Sequence, residues 1–411
     1  MRKKIFLLKV FCICTFFGFS QHSINDYLQA AVKNSPVYID NQNQIQSLAF
    51  DSMLIRGGLK PQVSFNSTNM YAPVINGYGY DEVITNGGNY NALLGINYTI
   101  VGKNNLNNQY ASLFIQKQIL ELKTKLSERD LKQTVTAQYI TVYGQQQLLS
   151  NSEKILEVLK NEDLILKNIT EKGLYRQTDY LSFLVGYKQQ KLSSSQQKLQ
   201  AQNDLYVLNY LCGITDTTYV ILPDPALSTS PVFNGEQPIQ FRQFILDSLK
   251  LQNSIEQIKF NYKPKLSLLG DAGYNTTFTY HAEKNFGASV GLNFSIPIYY
   301  GNQRKFQLEK FRLSENTRMS YADYFRKQYS MKQMQLQKQI SETEMLIIEA
   351  QEQLKISETL LAANNKLLET GDMRITDYVI SVTNYITSRS TEQQLITSKM
   401  QLINQYNFLS Y

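Results

Sequence analysis

Residues 291–298, Gly-Leu-Asn-Phe-Ser-Ile-Pro-Ile, repeat a pattern already present at residues 95–100, Gly-Ile-Asn-Tyr-Thr-Ile. Two further pairs of segments match at a similar separation of about 200 residues. They are residues 60–65 with 263–268, and residues 173–180 with 371–378. Three matches in the same order indicate a duplicated unit, and a period this long excludes a solenoid of short repeats. The chain is therefore predicted to contain two copies of one architecture.

Both copies of the opening segment alternate apolar and polar residues with a period of two, which is typical of a β-strand. The apolar face carries Leu94, Ile96 and Tyr98 in the first copy and Val290, Leu292 and Phe294 in the second. A partner strand precedes each, so strands are predicted at about 62–72, 90–101, 265–275 and 286–298. Lengths near ten residues suit a tilted crossing of an outer membrane, with the apolar face toward lipid. A soluble sheet with one face on a core has the same periodicity and remains an alternative.

Two long stretches are predicted to be helical. Residues 302–370 contain neither glycine nor proline, and in residues 103–172 the only such residue is Gly144. A helix of about 70 residues would be roughly 105 Å long, several times the diameter of a compact domain. Apolar residues recur at spacings of three and four, which indicates coiled-coil-like packing.

A glycine follows each long stretch, and a Thr-Asp pair follows each glycine, at Thr178-Asp179 and Thr376-Asp377. Glycine suits a helix C-terminus, and threonine or aspartate suits the next N-cap. Helical hairpins are therefore predicted at about 103–212 and 302–411. Each copy is a helix, two strands and a long helical hairpin, in a mostly α fold with membrane β-strands.

The first residues predict export. Arg2, Lys3 and Lys4 precede a mostly apolar stretch at residues 5–19, and small residues lie before Gln21. This pattern is typical of a secretory signal peptide over residues 1–20, and the stretch is too short to be a membrane anchor. The mature chain is then divided into a first repeat at 21–212, an irregular linker at 213–238 and a second repeat at 239–411.

Composition excludes several classes of function. The predicted signal contains four of the 41 Lys and Arg residues, which leaves 37 against 34 Asp and Glu, so no nucleic-acid partner is predicted. Cys12 and Cys14 lie inside the signal and would be needed for a lipid anchor, while Cys212 alone remains in the mature chain. His22 and His281 have no neighbouring ligand or triad partner, so we expect no metal site, no cofactor and no enzymatic activity.

The number of predicted strands indicates that several chains assemble. Four strands do not close a membrane barrel, and an open sheet edge facing lipid would leave backbone groups unpaired at several kcal/mol each. Three chains would supply twelve strands, an even number within the known range. The sequence thus predicts a homotrimeric barrel whose strands continue into a bundle or tube of long helices.

The chain resembles the TolC family of outer-membrane efflux proteins over essentially its whole mature length. The resemblance is carried by Pro264-x-Leu266-x-Leu268, by residues 291–298 with Gly301, and by the two Gly-x-x-x-x-Thr-Asp turns. It implies a homotrimer with a twelve-stranded β-barrel above a twelve-helix α-barrel. It also implies a periplasmic adaptor and an inner-membrane transporter of RND or ABC type as partners.

Positions carried over from the family place Thr178, Asp179, Thr376 and Asp377 at the periplasmic mouth, with Asp377 in an acidic ring. A second acidic ring would need a carboxylate where this chain has Ile380. The alternative for both aspartates is helix capping or a solvated turn.

Arg374 belongs to the tip turn and lies one residue away from the position of a tip arginine in the family's best-studied member. The resemblance further places the adaptor at the turns, against Gly173, Leu174, Gly371 and Asp372. It implies a passive exit duct for efflux or type I secretion, located in the outer membrane with its helices in the periplasm. A non-channel coiled-coil protein of the envelope is the alternative, and it would have no need of strands with an apolar face.

Overall fold

The computed structural model describes residues 23–80, 87–229, 238–277, 281–370 and 372–409. The predicted signal peptide, part of the predicted linker, and Gly371 lie outside these residues.

Ser23 precedes the first helix and forms a capping box with Asp26, whose carboxylate accepts the Ser23 N–H at 2.8 Å.

The described chain is mostly helical, with seven α-helices and four strands, and each half has two strands followed by two long helices. The first half contains α1 (Ile24–Asn34), α2 (Pro36–Gly58), β1 (Gln62–Ala72), β2 (Gly87–Ile100), α3 (Lys103–Glu171) and α4 (Gln177–Cys212). The second half contains α5 (Phe241–Asn261), β3 (Lys265–Thr276), a 3₁₀ turn (Ala282–Lys284), β4 (Phe286–Ser295), α6 (Gln303–Thr370) and α7 (Ile375–Leu409).

The long helices have the lengths that the absence of helix breakers predicts, 69 residues in α3 and 68 in α6. Helix α4 ends where Gly213 adopts a left-handed φ of 65°, which a residue without Cβ adopts at little cost. Strand β4 ends at Ser295, before the predicted boundary at 298, because Pro297 has no N–H to donate to a ladder.

Residue contacts divide the chain into two compact units that differ from the two sequence repeats. The helical unit contains the described residues within Met1–Ser35, Leu131–Pro231 and Gln335–Phe408. The sheet unit contains the described residues within Pro36–Asp130, Val232–Met334 and Leu409–Tyr411. Each unit takes segments from both halves of the chain, because β2 in the first half pairs with β3 in the second.

The helical unit has two apolar cores. In the first, Tyr27 and Tyr139 meet edge to face with their ring centroids 5.9 Å apart, among Val135, Leu205 and Leu208. The Tyr139 hydroxyl donates to the Pro223 carbonyl at 2.8 Å, so the irregular segment after α4 is attached to this core.

The second core, here called the turn cluster, lies next to the two helical turns. Its members include Leu166 of α3, Phe183 of α4, Leu368 of α6, and Ile375 and Tyr378 of α7. All five side chains are buried. The turn cluster therefore joins all four long helices of the helical unit.

The sheet unit is built on one antiparallel sheet in the order β1-β2-β3-β4. Helices α2 and α5 lead into β1 and β3, and α3 and α6 follow β2 and β4, all at one end, here called the helix end of the sheet. Among the described helices, none has a stretch both long and apolar enough to cross a membrane.

Candidate functional site

One face of the sheet is apolar across all four strands. The register pairs Phe65 with Leu94, Tyr98 with Leu268, and Leu268 with Leu292, and side chains of directly opposed residues share a face. The predicted positions Leu94, Ile96, Tyr98, Val290, Leu292 and Phe294 all lie on it. Val290 is 83% exposed, Leu292 72% and Phe294 62%, so no other part of the described chain covers β4.

The opposite face of the sheet is largely polar. It carries Asn97, Asp271, Ser289 and Asn293, with Met70, Leu93 and Leu269 as apolar interruptions. The Ser289 hydroxyl donates to the Asp271 carboxylate across β3 and β4 at 2.6 Å. A sheet that is apolar on one face and hydrogen-bonded on the other can separate lipid from water.

Both sheet edges are open. Within the described residues, β1 pairs only with β2, and β4 pairs only with β3. The outward N–H and C=O groups of β1 and β4 form a template for further strand pairing. Such edges are stable in an apolar medium only when another strand pairs with them.

The first helical turn follows the predicted glycine geometry. Gly173 has a φ of 76°, its N–H donates to the Thr170 carbonyl at 2.9 Å, and the Leu174 N–H donates to the Ile169 carbonyl at 3.2 Å. These two bonds form a Schellman motif that ends α3. In the second turn the Asp372 N–H donates to the Leu367 carbonyl at 3.0 Å, the equivalent of the longer bond.

The N-caps are not the predicted Thr-Asp pairs. Arg176 occupies the N-cap of α4, with no side-chain capping bond, and its carbonyl accepts the N–H groups of Asp179 and Tyr180. The Arg374 carbonyl accepts those of Asp377 and Tyr378 in the same way.

Thr178, Asp179, Thr376 and Asp377 consequently lie inside the first turns of α4 and α7. Carboxylates there are favoured by the positive end of the helix dipole. Asp377, Thr376, Arg374 and Asp372 are exposed, as are Gly173 and Leu174, whereas Asp179 is partly buried.

A tyrosine that sequence reasoning missed connects the two turns. The Tyr175 hydroxyl donates to the Met373 carbonyl at 2.8 Å, and Met373 is the residue equivalent to Tyr175 in the second copy of the motif. Tyr180 donates to the Asp163 carboxylate at 2.9 Å. Its equivalent, Tyr378, is fully buried in the turn cluster. Because Tyr180 and Tyr378 occupy the same position in the two copies of the motif, this repetition was the sequence signal for their roles in the turns.

A buried carboxylate lies beside the turn cluster. Glu162 of α3 is 6% exposed, and among the described residues its Oε2 and the Tyr378 hydroxyl have no hydrogen-bond partner. Burial raises the pKa of Glu162, and the nearby Glu369 carboxylate adds to the rise. Burial also raises the pKa of the Tyr378 hydroxyl, with Glu162 as a further cause. The turn cluster therefore favours a neutral Glu162.

Two further side chains of reactive type are Cys212 and His281. Burial raises the pKa of the Cys212 thiol to about 12, so it is a packing residue. His281 lies 3.1 Å from the Glu283 carboxylate on an exposed surface. Within the ranges that the structure describes, no group of three or more His, Cys, Asp or Glu side chains could hold a metal ion.

No family model and no curated protein matches this chain. Solved structures do. The outer membrane protein VceC from Vibrio cholerae aligns with a TM-score of 0.75 at 11% identity, over 94% of this chain and 96% of that one. The CmeC outer membrane channel of Campylobacter jejuni aligns with a TM-score of 0.73 at 12% identity, over 94% and 85%.

The open state of the MtrE outer membrane channel of Neisseria gonorrhoeae aligns with a TM-score of 0.68 at 12% identity, over 94% of this chain and 88% of that one. At identities this low, the structural alignments establish the fold alone. The resemblance predicted from the sequence motifs is confirmed at that level, and the chain has the fold of the TolC-like outer-membrane channels.

Proposed function

We propose that this chain forms the outer-membrane channel of a tripartite efflux or type I secretion system and acts as a passive exit duct. The observation that carries the proposal is the sheet, whose apolar face is exposed on β4 while its opposite face is polar. A water-soluble sheet would bury that face against a core. The likeness in fold to outer-membrane channels supports the same function and the same location.

The assembly we propose is a homotrimer. The two open edges of the sheet support a closed assembly. If β4 of each chain pairs with β1 of the next, no edge strand is left unpaired. Three chains would close twelve strands into one barrel, and their long helices would form a twelve-helix tunnel in the periplasm. The predicted signal peptide at residues 1–20 and repeats at 21–212 and 239–411 belong to this proposal.

The turns after α3 and α6 would form the periplasmic mouth. Asp377 is exposed in the first turn of α7, so three copies could face one axis, next to Thr376 and Arg374. Asp179 and Thr178 would contribute from the turn before α4.

A periplasmic adaptor would dock at the same tips and connect the channel to an inner-membrane transporter of RND or ABC type. Leu174 supports this role because it is 71% exposed at the outside of a rigid Schellman turn, where it offers an apolar anchor. Gly173, Gly371 and Asp372 would complete the docking surface.

Planar bilayer recording tests the proposed function. Purified full-length protein should insert from detergent and give discrete ohmic conductance steps, while the same detergent without protein gives none. A protein that remains in the aqueous phase, or coats the bilayer without conductance, would instead indicate the non-channel coiled-coil protein of the envelope.

A further inference from the structure

The helix end of the sheet contains an open pocket of about 500 Å³. It lies between the junction of β2 with α3 and the junction of α5 with β3. Lys103, Lys263 and Lys265 line it, and none of its lining residues is acidic. All three lysines are exposed, so their ammonium groups are accessible to a ligand.

The charge of this region is uniformly positive. Residues 59–62, 97–106, 260–267 and 293–308, which flank the helix end, contain no Asp or Glu. Their charged residues are Lys60, Lys103, Lys263, Lys265, Arg304 and Lys305. The rest of the chain mixes both signs, as in the ion pairs along α6. A local field of one sign attracts an anion.

The pocket is continuous with the apolar face. Ile100 lines the pocket, and its register with Leu266 places it on the same face as Leu292. The register places Lys265 on the opposite face, so the pocket lies across the end of the sheet.

Aromatic side chains border the same end of the sheet. The Lys263 ammonium lies 4.3 Å from the centroid of the Phe260 ring, and Tyr299 is 87% exposed. Lysines and aromatic rings beside an apolar face are the arrangement found at a membrane–water interface.

We propose that this pocket binds the phosphate of an anionic phospholipid headgroup, with the acyl chains of the lipid along the apolar face of the sheet. The inference rests on the proposed insertion in a membrane, and it adds a lipid preference to it. A free phosphate would use the lysines alone. A phospholipid uses both the lysines and the adjoining apolar surface at Ile100, which is why the lipid is the better fit.

The test is native mass spectrometry of the detergent-solubilised full chain with phosphatidylglycerol, phosphatidylcholine or inorganic phosphate added. We expect phosphatidylglycerol to be retained about tenfold more than phosphatidylcholine, because phosphatidylglycerol is anionic whereas the choline ammonium of phosphatidylcholine balances its phosphate and is repelled by the lysines. The combined variant K103Q/K263Q/K265Q should lose that preference, and K103R/K263R/K265R should keep it. The control K123Q/K327Q/K332Q removes the same charge from exposed helical positions and should behave as the unmodified chain.

Equal retention of the two lipids, or an unchanged preference in K103Q/K263Q/K265Q, would overturn the inference while leaving the channel intact. Retention of inorganic phosphate in place of phosphatidylglycerol would overturn it in favour of a soluble anion. Bilayer recording of the same preparation separates the two proposals. A chain that neither inserts nor conducts fails the proposed function, and the lipid site fails with it. A chain that conducts but shows no lipid preference refutes the lipid site alone and leaves the proposed function intact.

Discussion

The helical unit has buried apolar cores, whereas β4 of the sheet unit leaves its apolar side chains exposed. In the helical unit Tyr139, Leu205 and Leu166 are fully buried. In the sheet unit Val290 and Leu292 are mostly exposed on β4. The helical unit therefore gains stability from its own cores, whereas the sheet leaves its apolar face on β4 uncovered by the described residues, and lipid and partner strands would cover it in the proposed channel. The difference shows that the helical unit buries cores of its own, whereas the sheet is the part that a membrane and further copies would complete in the proposed channel.

The largest expected effect is an arginine on the apolar face. L292R should cost roughly 2–4 kcal/mol if Leu292 lies near the bilayer midplane, because the charge would be in hydrocarbon. N293R, on the polar face of the same strand, should be far milder. The measurement is reversible folding into phosphatidylcholine vesicles. Equal costs for the two variants would mean that the faces are assigned wrongly.

The second-largest effect is expected when a buried leucine of the helical unit is truncated. L205A leaves a cavity in the buried first core and should destabilise the folded chain by about 2–5 kcal/mol. L292A should cost less in detergent, since Leu292 contacts solvent molecules and not a packed core. Denaturant unfolding followed by circular dichroism measures both. A larger loss for L292A than for L205A would contradict the difference between the units.

Glu162 offers a pH-dependent test inside the helical unit. Its folded-state pKa is raised above the unfolded value of about 4.3, so folding favours the protonated form. The contribution of Glu162 to stability should therefore be largest below that unfolded value and be lost as pH rises through the folded pKa. E162Q should remove this loss and stabilise the chain at pH 7 by about 1–3 kcal/mol.

The gain from E162Q should vanish near pH 4, where Glu162 is protonated in both states. Thermal unfolding between pH 4 and pH 8 measures it, with the exposed Glu157 changed to Gln as the matched control. A gain that is independent of pH would show that the carboxylate is not the cause.

The smallest free-energy effect is expected at the proposed mouth. D377N should leave folding unchanged, because Asp377 is exposed and the turn is held by backbone bonds to Arg374. It should weaken the block of single-channel current by multivalent cations applied from the periplasmic side, since like charges around one axis form a cation site. D179N should have less effect, because Asp179 is partly buried. An unchanged block in a conducting D377N channel would remove Asp377 from the mouth.

The sequence predicted the elements better than their contacts. Period-two alternation found the apolar face around Leu292, and the glycine at 173 located the end of α3, because both signals are local. The pairing of β2 with β3 crosses from one half of the chain to the other and leaves no local signal. The compact units therefore could not be predicted from the repeats.

The turns show the same limit at single residues. Thr178 and Thr376 have the side chains that N-caps prefer, yet the cap position of α4 is Arg176, because the helix begins earlier than propensity indicates. The Tyr175–Met373 bond joins residues from different halves, so only the fold reveals it. The burial of Glu162 had a signal, since Leu159 and Leu166 lie on the same helix face at spacings of three and four.

In the proposed channel, identical sheets from other chains complete the open-edged sheet. The native mass of the detergent-solubilised, membrane-extracted protein tests it most directly, since β1 and β4 must both find partners. We expect a stable assembly of three chains that dissociates only when the strands unfold. A stable monomer, or a dimer with eight strands, would contradict it.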